Sequence, residues 1–519
     1  MKPKTALLTI LIAGLMAGAA TAKDLVIGMK AAVDNADPHQ LYTPNRNVDL
    51  QVYEPLVYQD RFLKPVPWLA TSWEPLDDTT WEFKLREDVK FSDGTPFTAE
   101  DVVFSLNRGI TIKGLRTYVG YLKDIASVEA KDDHTVVIKT KMPTSMLPWN
   151  LTSIGMVSAK ASRDATEEDF NGGSAAIGTG PYRWIKWTPG DSVVLEKNPD
   201  YWNGVEPWDK VTYRFIPDDS TRVAGLLAGD VDVIDQVPGN LTRQIADSGK
   251  TSLVEDTSVF NVYLSFDSAR ANSPFIKAND GSDLKENPFS NPDVREAVNI
   301  AINRTGLAER IMNGAAVPTG QLAPEGMQGY VQSLGVPEYD PAKAKELLAR
   351  AGYPDGFRMT IHCYNNRFTG DVQTCQAVAA MLTAIGIKTN VDAMPTSVFF
   401  KRARANEFSF FMIMYGTPTG STTSMVTTVL QTVDKENGYG ANNNNFYSNP
   451  EVDALIVESQ STFDDADSEE LLKEATAAAI NDQALLPLFF LKSSWGVRKG
   501  LELEPRGDGF TMARNIREK

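Results

Sequence analysis

Apolar residues recur in short, closely spaced runs through the first half of the chain. Lys23–Met29 (KDLVIGM), Trp81–Leu85 and Thr135–Lys139 (TVVIK) have the length and the β-branched or aromatic content of strands. Asn45–Val57 reads as a helix. From Phe62 to about Lys141 the chain is strand-rich, with one helix over Thr98–Arg108. There Thr98 and Asp101 stand at capping-box spacing ahead of Val102, Val103 and Phe104. Ser92-Asp93-Gly94-Thr95-Pro96 supplies the turn before that helix. The stretch is expected to fold as a compact inserted subdomain with Trp68, Trp73 and Trp81 in its core. A hairpin follows from Gly178, its strands flanking Thr188-Pro189-Gly190-Asp191. Asp218–Ala228 reads as a helix stopped by Gly229. Asp230–Ile234 reads as an alternating strand and Val259–Phe266 as a buried one.

After Ser268 the pattern changes. Asn291-Pro292, Asp340-Pro341 and Asn449-Pro450 each place a capping side chain before a proline at the first helical position. Amphipathic helices follow: VREAVNIAIN, AKAKELLARAG and EVDALIVESQ. Strand-like runs (FRMTIHCY, GIKTNVD, FSFFMIMYG) alternate with them, so about 275–485 is expected to be a separate α/β lobe. An apolar run, Ala484–Leu491, comes next. A chain of 519 residues is too long for one core and points to two or three domains.

Composition narrows the class. With 42% hydrophobic and 23% charged residues the chain is ordinary for a globular protein. Lys2 and Lys4, an apolar stretch over Ala6–Ala17 and Ala20-Thr21-Ala22 have the layout of a secretory leader, so residues 1–22 are expected to be removed. The net charge is −16, or −18 once both lysines leave with the leader. That argues against nucleic acid and against an anionic membrane surface as partners. Export permits a disulfide between Cys363 and Cys375; the alternative is two small core side chains.

No catalytic motif is found: G-x-S-x-G, H-E-x-x-H and the P-loop are all missing. Gly178-Thr179-Gly180 begins like a dinucleotide fingerprint but continues Pro-Tyr-Arg. Of the three histidines, His39 has metal-capable neighbours in Asp34 and Asp37, but a solvated loop accounts for it better. His134 is expected in a surface turn and His362 in a strand as a structural residue. No cofactor, metal or catalytic residue is assigned.

The stretch Tyr53–Arg108 (YEPLVYQDRFLKPVPWLATSWEPLDDTTWEFKLREDVKFSDGTPFTAEDVVFSLNR) resembles the signature region of the family 5 extracellular solute-binding proteins. Further matching wording appears in order at GTGPYRWIKW, KNPDYWNG, LLAGDVDVID, NPDVREAVNIAINR, YDPAKAKELLARAGYPDG and FYSNPEVDALI. The resemblance implies an α/β, two-lobed periplasmic binding protein of type II, cluster C-like, with a third subdomain inserted in the first lobe. On that pattern 23–60, 176–268 and 488–519 form lobe I, 61–175 the insertion and 269–487 lobe II. The chain would cross between lobes near Phe266–Ser268 and Pro487–Leu491. It also implies a single-copy receptor that closes on a solute and delivers it to an ABC transporter permease in the inner membrane.

Positions matching the family's cleft are Asp34 and Asn35 after the first strand, Phe260 and Tyr263 before the first crossing, and Asn365, Asn366 and Arg367 after the Cys363 strand. Met414, Tyr415, Gly416, Thr417, Thr419 and Phe490 complete the set. Arg367 suits a ligand carboxylate; Tyr415 and Phe490 suit stacking. Peptide receptors of the family hold the ligand's α-amine with an aspartate in a loop matching Met412–Thr423, and that loop contains no carboxylate here. Its hydroxyls suit amide, sugar or carboxylate oxygens, or else cap the next helix. The expected ligand is a peptide or peptide-like solute, with an opine, an oligosaccharide or a metal chelate as alternatives on the same fold and a secreted hydrolase as the rival of another class. The tryptophan-rich insertion is expected to lie away from most of the cleft.

Overall fold

The computed structural model describes residues 23–40, 43–114, 117–417 and 419–519. The expected leader and its cleavage site lie outside them. Strand β1 (Asp24–Met29) starts the first core, where Leu25 and Ile27 are fully buried. The helix expected over 45–57 is shorter: α1 spans Arg46–Val52. Tyr53 turns to extended backbone at ψ 124, and the next residue, Glu54, is kept out of helical geometry by Pro55.

The insertion is an antiparallel sheet backed by a helix. β2 (Ala70–Asp77), β3 (Thr80–Leu85), β4 (Ile125–Asp132) and β5 (Thr135–Thr140) lie in the order β2-β3-β5-β4. Helix α2 (Ala99–Thr111) begins at the expected cap, with the Thr98 backbone N–H donating to Asp101 Oδ2 at 2.9 Å. Trp81, Phe83, Phe91, Phe97 and Val102 fill a core of their own, with Trp68 and Trp73 half-buried at its edge. Each fully buried ring contributes roughly 1.5–3 kcal/mol of transfer free energy. The insertion is fixed to the first lobe through Glu54, whose buried carboxylate accepts from Trp68 Nε1 (2.8 Å), Tyr201 Oη (2.6 Å), Thr179 Oγ1 (3.0 Å) and Trp202 Nε1 (2.8 Å). Arg514 completes the neutralisation at 3.3 Å. A carboxylate this deep needs that full set of partners.

The first lobe resumes with the hairpin β6 (Tyr182–Thr188) and β7 (Ser192–Lys197), then β8 (Lys210–Phe215), which runs parallel to β1. Helix α3 (Asp219–Ala228) is capped by Asp218 and ends at Gly229, whose φ of 86° suits glycine. Only Val233–Ile234 (β9) of the expected 230–234 strand pairs.

Strand β10 (Thr251–Phe266) is twice the length read from the sequence. In the second half, α4 (Pro292–Ile300) and α5 (Pro341–Arg350) precede β11 (Arg358–Tyr364), α6 (Asp371–Ala384), β12 (Lys388–Met394), α7 (Thr396–Arg404) and β13 (Phe410–Gly416). Helices α8 (Pro450–Ser461) and α9 (Asp465–Asn481) lead into β14 (Leu486–Arg498). All three expected Asx caps form: Asn291 accepts from the Asp293 N–H (2.9 Å), Asp340 from Lys343 (2.9 Å) and Asn449 from Glu451 (3.0 Å). Each such cap stabilises its helix by about 1 kcal/mol.

β10 and β14 join the halves. Thr251–Thr257 pair with Lys492–Arg498 beside the first core, and Asn261–Leu264 pair with Leu486–Phe490 in the second. The ladder breaks between Thr257 and Asn261. Val262, Leu264 and Phe266 pack with Phe289, Phe410 and Leu488. The change of core therefore lies near 258–260, ahead of the 266–268 read from the sequence. A uniformly apolar run does not reveal at which residue its partners change. Cys363 and Cys375 are disulfide-bonded, with Cα atoms 6.7 Å apart.

Candidate functional site

A cavity of about 800 Å3 lies between the inserted subdomain and the second α/β half. That size falls within the ~300–1,000 Å3 typical of small-molecule sites. One wall comes from the insertion: Tyr121, Lys123, Asp124, Thr144 and Asn150. The opposite wall comes from β10, β13, the loop after β11 and the segment after β13. The sequence had placed the insertion away from most of the cleft, whereas here it closes one side. The sequence gives no local sign of this, because Lys123 and Asp124 sit in an ordinary polar turn before β4.

The second wall divides into a cationic part and a hydroxyl part. Arg367 and Arg404 both line the cavity, and among the described residues neither guanidinium makes an ion pair or hydrogen bond. Local geometry holds Arg367 in place. The buried Asp371 carboxylate at the start of α6 accepts from the Arg367 backbone N–H (2.9 Å) and from Val372 (2.7 Å). The Cys363–Cys375 bridge then closes the loop from behind. Arg404 is the last residue of α7 and was not anticipated; an exposed arginine closing an amphipathic helix looks like ordinary surface.

Tyr415, Thr419, Thr423, Ser424, Thr427 and Thr428 supply the hydroxyl part. Tyr415 Oη is held by Thr428 Oγ1 (3.1 Å) and the Ser424 carbonyl (3.3 Å), and burial raises the phenol above its ordinary pKa. Among the described residues the hydroxyls of Thr419, Ser424 and Thr427 have no hydrogen-bond partner. In this loop Ser421 Oγ accepts from the Thr423 N–H at 3.1 Å, and Thr419 lines the cavity.

The structure thus brings Tyr263, Arg367, Met414, Tyr415, Gly416 and Thr419 together around one cavity. The other candidates sit elsewhere. Asp34 and Asn35 knit their own loop: Asn35 Nδ2 donates to Asp34 Oδ1 (2.7 Å), and Asn35 Oδ1 accepts from the Asp37 N–H (3.0 Å). Asn366 caps α7, its Oδ1 accepting from Thr396 N (2.9 Å) and Oγ1 (2.6 Å). Asn365 is exposed beside it and Thr417 is buried behind the wall. Phe260 packs on Gly416, where an added Cβ would come within 2.6 Å of the ring. Phe490 is buried on β14 against Asn261 and Val317.

No histidine lines the cavity. His39 is not in a solvated loop. Its Nδ1 accepts from Arg108 (2.8 Å) and its Nε2 donates to the Gly155 carbonyl (2.9 Å), so the ring is neutral with the proton on Nε2. Arg108 also grips Asp37 at 2.6 Å and 2.8 Å. Burial first, then the Arg108 charge, lower the His39 pKa to about 4. His362 is buried under Phe408, with Nδ1 3.4 Å from the Phe410 carbonyl. Among the described residues no group of three metal-ligating side chains occurs.

Comparison with known proteins places this geometry. Residues 64–437 match the family model described as "Bacterial extracellular solute-binding proteins, family 5 Middle". The glutathione-binding protein GsiB of Escherichia coli K12 is 31% identical over 486 residues, 91% of this chain and 90% of that protein. HbpA2 from Haemophilus parasuis superposes with a TM-score of 0.84 at 22% identity, covering 96% of this chain and 100% of that one. AgaA from A. tumefacien R10, solved with agropinic acid, gives 0.71 at 26% identity over 96% and 99% of the two chains.

Proposed function

Since the chain belongs to the bacterial extracellular solute-binding proteins of family 5, we propose that it captures a small anionic, peptide-like solute and delivers it to an ABC importer. The protein acts in the periplasm as a single copy, its leader removed, and its closed form is what the permease recognises. Lobe I comprises 23–60, 176–257 and 492–519, the insertion 61–175 and lobe II about 261–490. The boundaries between lobe I and lobe II follow the break in the β10–β14 ladder.

One observation carries the choice of an anion. The protein as a whole is strongly acidic at −16, yet among the described residues its cavity sets Lys123, Arg367 and Arg404 against the single carboxylate of Asp124. Two unpaired guanidiniums in a partly enclosed site favour carboxylates by charge-assisted, bidentate hydrogen bonds. Thr419, Ser424 and Thr427 can donate to amide oxygens between them. A glutathione-like tripeptide, with two carboxylates and two amide carbonyls, has the matching chemistry, and GsiB, named for glutathione binding, is among the relatives. An opine acid is the second reading, because it too satisfies the arginines.

A thermal-shift panel of glutathione, dipeptides, opine acids and neutral sugars tests this. A ligand at ~100 times its dissociation constant should stabilise the fold by about 2.7 kcal/mol. Glutathione or another dicarboxylate peptide is expected to raise the melting temperature. A response confined to neutral sugars would refute the anion reading.

A further inference from the structure

We propose that Asp124 receives the ligand's ammonium group, so that the solute bridges the insertion and the second lobe through opposite charges. The inference rests on the receptor reading above and adds which end of the solute meets which wall. Among the described residues, Asp124 is the only carboxylate that lines the cavity. An ammonium carries three donors and no acceptor, and inside the cavity Asp124 is the one charged acceptor it can reach.

Asp124 is both placed and available. It stands immediately before β4, with its backbone carbonyl accepting from the Lys141 N–H at 2.8 Å, so the carboxylate is carried on a sheet edge. Its present partner is its neighbour Lys123, 3.1 Å away, with the side chains 32% and 52% exposed respectively. An exposed pair between adjacent residues is weak and exchanges readily. Lys123 also extends toward the second lobe: a Cβ built on Gly438 would lie 3.9 Å from its Nζ. A ligand ammonium displacing Lys123 from Asp124 therefore leaves a third cation facing the anionic end of the solute.

This arrangement makes closure depend on the amine. An acid without an amine satisfies Arg367 and Arg404 on one lobe but brings the insertion's Asp124 no cation, so Lys123 stays paired with that carboxylate. An amino-carboxylate pulls on both walls, which supplies the differential free energy that closure requires. The site thereby separates peptide-like anions from simple dicarboxylates.

Isothermal titration of the protein with glutathione, its amine-free analogue glutaryl-cysteinylglycine, and glutarate decides the matter. Wild type is expected to bind glutathione about tenfold or more tighter than the analogue, the loss of one charge-assisted hydrogen bond. Asp124→Asn should weaken glutathione by a similar factor, leave the analogue unchanged and keep the melting temperature. Asp124→Glu should recover part of the preference. Equal binding of glutathione and analogue by wild type, or an unaltered preference in Asp124→Asn, overturns the role of Asp124 and leaves the receptor reading intact. Binding of glutarate alone overturns it as well. Binding of none of the three overturns both.

Discussion

At the scale of single residues, Arg367 and His39 have opposite relations to solvent and are expected to respond differently to change. The Arg367 guanidinium is exposed and unpaired among the described residues, so Arg367→Ala should leave stability within about 0.5 kcal/mol of wild type. Affinity for glutathione should fall about tenfold or more by calorimetry; unchanged affinity removes Arg367 from the site. His39 is buried and neutral, with its pKa lowered to about 4 from 6.5. The unfolded chain takes up this proton below pH 6.5 and the folded one only near 4. Its stabilisation is therefore complete above 6.5 and is lost as pH falls through that window, by about 3 kcal/mol in all. Urea midpoints measured from pH 7 to pH 4 should decline in wild type and more shallowly in His39→Gln. Parallel curves would show that other groups set the slope. The sequence disclosed His39 as chemically notable but not its burial, because its partners Arg108 and Gly155 come from segments far along the chain.

At the scale of elements, the loop between β11 and α6 couples a disulfide to the proposed site. It carries Arg367 and is closed by the Cys363–Cys375 bridge over 12 positions. Replacing both cysteines by alanine is expected to cost about 3 kcal/mol and also to weaken glutathione binding, since the loop then samples more conformers. A double variant that melts lower yet binds as wild type would separate the bridge from the site. Which elements were legible follows from what fixes them. The caps at Asn291, Asp340 and Asn449 and the box at Thr98–Asp101 depend on neighbours within a turn, and all formed as read. The outer half of β10 (TSLVEDTS) and the end of β14 (KSSWGVR) mix polar and apolar residues without strict alternation. Only their mutual pairing makes them strands, so sequence pattern alone stops at the apolar halves.

At the scale of the whole molecule, the insertion and the second lobe hold each other around the cavity. The Ser145 backbone N–H donates to the Gln460 carbonyl at the end of α8 (2.7 Å), and Ser145 Oγ lies 3.1 Å from the same oxygen. Phe463 packs on Trp81, ring centroids 5.5 Å apart. These contacts hold the two walls of the cavity together, and in a receptor that closes on its solute they would favour the closed form. Phe463→Ala should enlarge the ligand-free radius of gyration in small-angle scattering and lower glutathione affinity severalfold. An unaltered radius would show that the rim contact does not hold the lobes. The cavity itself was only half legible: loop positions after β11 and β13 follow from the order of strands, whereas Lys123 and Asp124 reach it only because the insertion docks where it does.

The β10–β14 ladder also has a practical consequence. Leu264 and Leu486 are direct partners across it, so the chain leaves and re-enters at points about 5 Å apart. Everything between them is a continuous cassette with two adjacent seams. It can be exchanged for that of a relative without altering connectivity, carrying Arg367, Arg404 and the hydroxyl surface as one unit while Asp124 stays with the host. Cargo preference in such chimaeras would then be inherited half from the graft and half from the recipient.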